Sequence, residues 1–224
     1  SMAKFQIIQP LPQATIIHYE GVSSGTEESR GVKRHQLINR ETFLARWRGV
    51  LATHRPNAVA PALEADRGAL ARVLVVEACM ITPDHDSGSV RMQAMLELMV
   101  TLGCKVSFVA DNLEYRQPYV RDLQQAGVEV WHHPFVASVE QLLQERGGEY
   151  DVIVLCRHYI AAGYIDAVRS LAPRARIVFD TVDLHYLREQ RLAELEQSAS
   201  LAAAAATTRR QELGVIARAD ITLV

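Results

Sequence analysis

The sequence lacks several features that would assign it directly to a familiar class. It has only three cysteines, Cys79, Cys104 and Cys156, which lie far apart and form no C-x-x-C pair. Isolated cysteines beside apolar runs are typical of buried, reduced thiols, so the pattern indicates a protein of the reducing cytoplasm. No apolar run reaches the roughly 20 residues that span a bilayer.

A strong net charge is also missing. The 224 residues carry a formal net charge of -2, which gives no electrostatic reason to expect a nucleic-acid partner. The charge is unevenly spread: residues 1–71 hold nine basic and six acidic side chains, and residues 72–224 hold fifteen and twenty. This change of sign suggests that the chain consists of two units.

The glycine fingerprint of dinucleotide-binding proteins is absent as well. The loop that follows the first strongly predicted strand contains one glycine, Gly88, where such proteins carry G-x-G-x-x-G. The additional glycines allow the backbone to approach a pyrophosphate closely. The sequence therefore disfavours an oxidoreductase that uses a nicotinamide dinucleotide.

From Arg72 onward, short β-branched runs alternate with helical patterns. The predicted strands are 72–78, 105–110, 128–132, 151–156, 176–180 and 220–224, and the predicted helices are 88–102, 116–126, 138–146, 160–171 and 187–218. Continuous apolar strands that alternate with helices are typical of parallel sheets covered on both faces. We therefore predict an α/β fold, a Rossmann-like and mostly parallel sheet with helices on both faces.

The N-terminal part has a different character. Residues 5–18 have an extended pattern interrupted by prolines, and a helix is predicted from about residue 40 to 54, capped by Asn39. Residues 55–71, which are rich in proline and glycine, are predicted to be a linker. We expect residues 1–54 to form a small appendage that does not join the main sheet.

The first candidate binding segment follows strand 72–78. It contains Asp84, Asp86, Ser87 and Gly88 and leads into a helix, the place where open α/β sheets bind their ligands. Ser87 is predicted to cap that helix, whose free N–H groups suit phosphate or sugar hydroxyls. The alternative is an ordinary capped surface loop.

The second candidate segment follows strand 176–180. It runs from Asp180, the last residue of that strand, to His185, and its two carboxylates, Asp180 and Asp183, and the His185 imidazole could supply a general base for a hydroxyl acceptor. Asp183 and His185 are ranked first as the acid–base residues. The alternative is that Asp183 only caps the next helix and that His185 lies on its surface. Arg157, at the end of strand 151–156, is a candidate ligand for an anionic acceptor; the alternative is a solvated side chain.

No metal site is predicted within this chain. His132 and His133 are adjacent on a strand, so their side chains point in opposite directions and do not form a joint site. His18 is a single ligand, and a single ligand does not hold a metal ion.

Residues 72–224 resemble the N-terminal half of family-four glycosyltransferases of the GT-B type. The matching pieces, in order along the chain, are RVLVVEACMITPDHDSGSVRM, KVSFVADNL, GVEVWHHP, YDVIVLCRHYIA, RARIVFDTVDLHYLRE and ARADITLV. The resemblance implies a Rossmann-like domain that binds a glycan or lipid-linked glycan acceptor. A second domain, C-terminal to this one, would bind the nucleotide-sugar donor, so no cofactor is expected within this chain.

The same resemblance implies positions for the site. The loop from Asp84 to Ser89 matches the family's loop that faces the cleft between the domains, although the family often has two glycines there. The segment from Asp180 to His185 matches the place where members carry a cleft-facing His or Asp. The choice between Asp183 and His185 stays open.

Residues 5–54 resemble the C-terminal end of family-two glycosyltransferases of the GT-A type. In that family the histidine of the H-x-E-G run, here His18, lies near the donor diphosphate and can ligate its divalent metal ion. The two resemblances imply a tandem enzyme of bacterial surface-polysaccharide or O-antigen synthesis, associated peripherally with the membrane. This chain alone is expected to be inactive. The alternative from another class is a non-catalytic Rossmann-like binding or scaffold domain.

Overall fold

The computed structural model describes residues 33–224, which fall into two compact units, one up to residue 67 and the other from residue 68 to 224. The predicted extended segment 5–18 and His18 lie outside the described residues. Among residues 33–224, no helix is both long enough and apolar enough to cross a membrane.

The described part of the first unit consists of two helices, α1 (Arg34–Leu51) and α2 (Pro61–Ala65). Helix α1 begins earlier than predicted, so Asn39 lies within it and does not cap it. Nothing in residues 34–39 is a glycine or proline that would delay the start of a helix. Helix α2 lies inside the predicted linker and begins with proline, which is favoured at the first helical position.

The second unit is built on one six-stranded sheet in which every neighbouring pair is parallel. Its strands are β1 (Arg72–Glu77), β2 (Lys105–Ala110), β3 (Glu129–Trp131), β4 (Val152–Cys156), β5 (Arg176–Asp180) and β6 (Ile221–Leu223). Their spatial order is β3-β2-β1-β4-β5-β6. The prediction of a Rossmann-like parallel sheet is confirmed, with all six predicted strands present.

Six helices accompany the sheet: α3 (Ser87–Thr101), α4 (Tyr119–Gln125), α5 (Val139–Arg146), α6 (His158–Leu171), α7 (His185–Leu195) and α8 (Ala199–Ile216). Alternate residues of β1 belong to two separate apolar cores. Leu74 packs in a core with α5, α6 and α8 residues, and Val75 packs in a core with α3 and α4 residues. Helices therefore cover both faces, as predicted.

The prediction of one helix over 187–218 was wrong. The segment forms two helices, α7 and α8, which pack on each other. Between them Gln197 adopts a positive φ of 49°, which ends the helical path, and the Ser198 hydroxyl accepts a hydrogen bond from the Leu201 N–H to start α8. The chain reverses here without a glycine or a proline.

The strand order places a topological switch point between β1 and β4. The connection after β1 runs to β2 on one side of the sheet, whereas the connection after β4 runs to β5 on the other side. Loops that leave neighbouring strands in opposite directions open a crevice at the carboxyl edge of the sheet, where ligands of this architecture bind.

Candidate functional site

The predicted site residues follow strands whose carboxyl ends meet at one edge of the sheet. Asp84, Asp86, Ser87 and Gly88 follow β1, Arg157 follows β4, and Asp183 and His185 follow β5. Because all the strands are parallel, these segments share that edge. Gly88 shows how closely they approach: a Cβ added there would lie 3.6 Å from the Val182 side chain. The start of α3 and the loop after β5 thus lie close together.

An ion pair bridges the switch point. The Arg157 Nε donates to Glu77 Oε1 over 2.7 Å, and the Glu77 side chain is only 5% exposed. The backbone of Arg157 adopts a positive φ of 71°, which residues other than glycine rarely do. The predicted anion-binding residue is therefore held in place by a carboxylate, which balances its charge.

Asp86, not Ser87, caps α3, which corrects the sequence prediction. Its carboxylate accepts the Ser89 N–H over 2.8 Å and the Ser89 hydroxyl over 2.6 Å, and these bonds lower its pKa. Aspartate and serine are both good caps. The extended backbone of Asp86 makes it the residue that precedes the first helical turn.

We expect Asp86→Ala to lower the free energy of unfolding by about 1 kcal/mol at pH 7, the usual cost of losing a cap. A carboxylate with a depressed folded-state pKa stabilises above its unfolded pKa of about 3.9 and loses that contribution as pH falls through the folded value. The difference from wild type should therefore shrink near pH 3. Urea denaturation at both pH values measures it, with Ser87→Ala as control; a larger effect of Ser87→Ala would contradict the assignment.

Asp84 lies in the same loop and is exposed. The Tyr119 hydroxyl donates to its carboxylate over 2.7 Å, and this bond lowers the pKa of Asp84. Asp84 and Asp86 therefore present carboxylate oxygens at the mouth of the loop. Such oxygens accept hydrogen bonds from hydroxyl groups and repel phosphates.

Asp180, the first carboxylate of the second candidate segment, ends β5 and is buried. Asp180 has no exposed side-chain surface, and its Oδ2 accepts a hydrogen bond from the Arg91 Nη1 over 2.7 Å. Its Oδ1 accepts the Val182 N–H over 3.2 Å. Arg91 belongs to α3, so this ion pair ties the first helix of the sheet to the segment that carries Asp183.

Asp183 and His185 are in contact, but solvent reaches them differently. The His185 Nδ1 lies 3.1 Å from Asp183 Oδ1, and Arg188 forms an ion pair with the other oxygen of Asp183. The Asp183 side chain is 39% exposed, whereas that of His185 is 8% exposed. Of the two predicted acid–base residues, Asp183 is the one that an acceptor from solution could reach.

Helix α7 is capped by Glu212, a residue of α8 that is distant in sequence and was not predicted as a site residue. Its fully buried carboxylate accepts the N–H groups of His185 and Tyr186 over 3.3 and 3.2 Å. The residue that precedes α7, Leu184, has an apolar side chain that does not cap the helix. The alternative that Asp183 caps this helix is thus not what the structure has. Glu212 lies 27 residues from His185, and a single glutamate in an alanine-rich helix gives no sign of such a role.

His158, the first residue of α6, completes a buried group with these residues. Its ring centroid lies 4.8 Å from that of His185, edge to face. Its Nδ1 is buried and has no hydrogen-bond partner. Burial, and next the neighbouring His185, lower the pKa of His158, so its imidazole is neutral near pH 7.

Comparisons with known proteins add no family to this geometry. The chain matches no protein-family model, no curated protein and no solved structure.

Proposed function

We propose that residues 72–224 are the acceptor-binding half of a GT-B glycosyltransferase that acts in the cytoplasm. The reaction is transfer of a sugar from a nucleotide-sugar to a glycan or lipid-linked glycan during bacterial surface-polysaccharide synthesis. The observation that carries the proposal is the close approach of the start of α3 to the loop after β5, beside the switch point. There an exposed carboxylate, Asp183, stands next to an imidazole, as activation of a hydroxyl requires.

The charges at this edge favour a hydroxylated acceptor over a phosphate. In dinucleotide-binding proteins the pyrophosphate occupies the N-terminus of the first helix. Here the carboxylate of Asp86 occupies that position at α3, and the exposed Asp84 adds negative charge nearby, whereas Glu77 is balanced by Arg157. A sugar hydroxyl donates to such carboxylates without repulsion.

In this proposal Asp183 is the group that takes the proton of the acceptor hydroxyl, and His185 fixes its position. The acceptor is held by the side chains and backbone of Asp84, Asp86, Ser87, Gly88 and Arg157. The Arg157 Nε donates to Glu77, and the two Nη groups make no hydrogen bond to the described residues, so they are available for a ligand.

The proposal includes parts outside the described residues. A C-terminal donor domain would bind the nucleotide-sugar, and an upstream GT-A unit, ending near residue 54, would carry a divalent metal ion with His18 among its ligands. Peripheral association with the membrane would bring the enzyme to a lipid-linked acceptor.

A non-catalytic binding or scaffold domain is the second candidate. One observation favours it: Arg157, Asp183 and Asp86 all have partners within the protein. A purely structural sheet edge would show the same pairing.

Incubating the complete protein, expressed from its full reading frame, with radiolabelled nucleotide-sugars and a lipid-linked glycan extract tests the proposal. If the protein is a transferase, we expect label in the glycan with at least one donor. We also expect that label to be lost when residues 72–224 are deleted. Absence of incorporation with every donor, together with a reading frame that has no second Rossmann-like domain, would support the scaffold instead.

A further inference from the structure

Two imidazoles and a carboxylate from three helices meet behind the candidate site. One ring nitrogen of His158, one of His185 and one carboxylate oxygen of Glu212 all lie within 4.8 Å of one another. The three residues are 7%, 7% and 0% exposed. We propose that they form a binding site for a divalent transition-metal ion of the zinc class. The inference does not depend on the proposed transferase function.

The charge of the group is the first argument. A buried carboxylate is costly unless a cation or several hydrogen bonds compensate it. Within the part of the chain that the structure describes, no Arg or Lys forms a salt bridge with Glu212. Among the described residues, the Glu212 carboxylate accepts hydrogen bonds from the His185 and Tyr186 N–H groups, and its Oε1 lies 3.8 Å from the His185 Nδ1. A bound dication would supply the missing positive charge.

The second argument is the unpartnered nitrogen of His158. Its Nδ1 is fully buried and makes no hydrogen bond. Leaving a buried polar atom unsatisfied typically costs about 1–3 kcal/mol, so most such atoms in folded proteins have a partner. A metal ion that accepts a lone pair from this imidazole would remove that cost.

The donor set fits zinc-class chemistry. Two histidines and one glutamate are a known set of protein ligands for zinc, with the fourth position left to water or substrate. A metal-bound imidazole usually has its other nitrogen held by a carboxylate. The His185 Nδ1 lies 3.1 Å from Asp183 Oδ1 and 3.8 Å from Glu212 Oε1, so Asp183 takes this role where the His185 Nε2 binds the ion.

The group needs only a small adjustment to bind an ion. Bonds of about 2.0–2.1 Å in a tetrahedral site separate the ligand atoms by about 3.3–3.5 Å. The ligand atoms are now at most 4.8 Å apart, so side-chain rotations that move each atom by roughly 1 Å bring them to these separations. In the transferase, a metal-bound His185 would leave Asp183 as the acid–base group.

Zn²⁺ titration by calorimetry, and Co²⁺ titration followed by visible absorption, test the proposal on the chain after chelator treatment. We expect one ion per chain and Co²⁺ bands without the sulfur-to-metal charge transfer that cysteine ligands produce. His158→Ala and Glu212→Gln should each weaken Zn²⁺ binding at least 100-fold. Asp183→Asn should weaken it about 10–100-fold, as for an orienting carboxylate. The control His133→Ala, an exposed histidine, should change nothing.

Glu212→Gln keeps an oxygen that can cap α7, so we expect this variant to fold. Circular dichroism verifies this. If a variant does not fold, X-ray absorption of the Zn²⁺-loaded wild-type protein still decides, since the proposal predicts two histidines in the ligand shell. Failure to bind one Zn²⁺ per chain, a shell with fewer than two histidines, or equal binding by folded Glu212→Gln would overturn the proposal. Loss of transferase activity alone would not bear on it.

Discussion

Asp183→Asn should lower sugar transfer by the complete protein by about 10²–10⁴-fold, the usual effect of removing a general base. The substitution keeps the shape of the side chain and removes its ability to accept a proton. The Asp183 carboxylate is 39% exposed beside a buried imidazole, and in the proposed mechanism it meets the acceptor hydroxyl. Steady-state rates at saturating donor and acceptor measure the effect on kcat.

Three further variants make this experiment specific. Arg188→Gln breaks the same ion pair but leaves the carboxylate, so it should cost much less than Asp183→Asn. His185→Ala should reduce the rate by removing the support of Asp183. Glu145→Gln, an exposed residue near the end of α5, is the distant control. The catalytic assignment fails if Asp183→Asn and His185→Ala are both as active as this control.

Arg91→Met should lower the free energy of unfolding by about 3 kcal/mol, the lower end of the 3–5 kcal/mol typical of breaking a buried ion pair. The reason is that Asp180, with no exposed side-chain surface, would keep a buried charge with only the Val182 N–H as partner. The effect lies at the lower end because the Arg91 side chain is 39% exposed and water can replace part of it.

A double-mutant cycle measured by urea denaturation separates this loss from lost packing. Asp180→Asn removes the charge, so Arg91→Met should cost much less in that background than in wild type. Arg121→Met is the matched control, because Arg121 forms an ion pair with Asp122 in which both side chains are more than half exposed. That control should change stability by no more than about 0.5 kcal/mol. An equally small effect of Arg91→Met would contradict the proposed burial cost.

The fold was predictable because its signals are local. Strands β1, β2 and β4 are short apolar runs rich in β-branched residues, and such runs have to be covered on both faces. Gly103 and Gly127 follow α3 and α4 and adopt positive φ values of 86° and 90°, as residues that end helices do. These features need no knowledge of distant parts of the chain.

The break between α7 and α8 was missed because its signal is weak. Gln197 adopts a left-handed conformation, and a glycine or asparagine at this position would have indicated the end of a helix. The alanine-rich sequence that follows favours helix throughout. Ser198 was the available signal, since serine is a favoured cap. A serine within a long helical pattern, however, is also common on exposed faces.

The edge that carries the candidate site was predictable, but the partners of its residues were not. Parallel topology alone places Asp84, Arg157 and Asp183 on one side of the sheet. Arg91 contacts Asp180 over a separation of 89 residues, and Glu212 contacts His185 over a separation of 27. Tertiary packing brings both residues to the site. Contacts over such separations leave no periodic pattern in one sequence.

Amide chemical shifts of the ¹⁵N-labelled chain test the central claim, glycan binding at the carboxyl edge of the sheet, most directly. The probes are short oligosaccharides of bacterial surface polysaccharides and, for comparison, NAD⁺. The account predicts saturable shifts with an oligosaccharide, confined to residues 84–88, 157–159 and 181–185, and no shifts there with NAD⁺. Saturable shifts of these amides with NAD⁺, and none with any oligosaccharide, would contradict it.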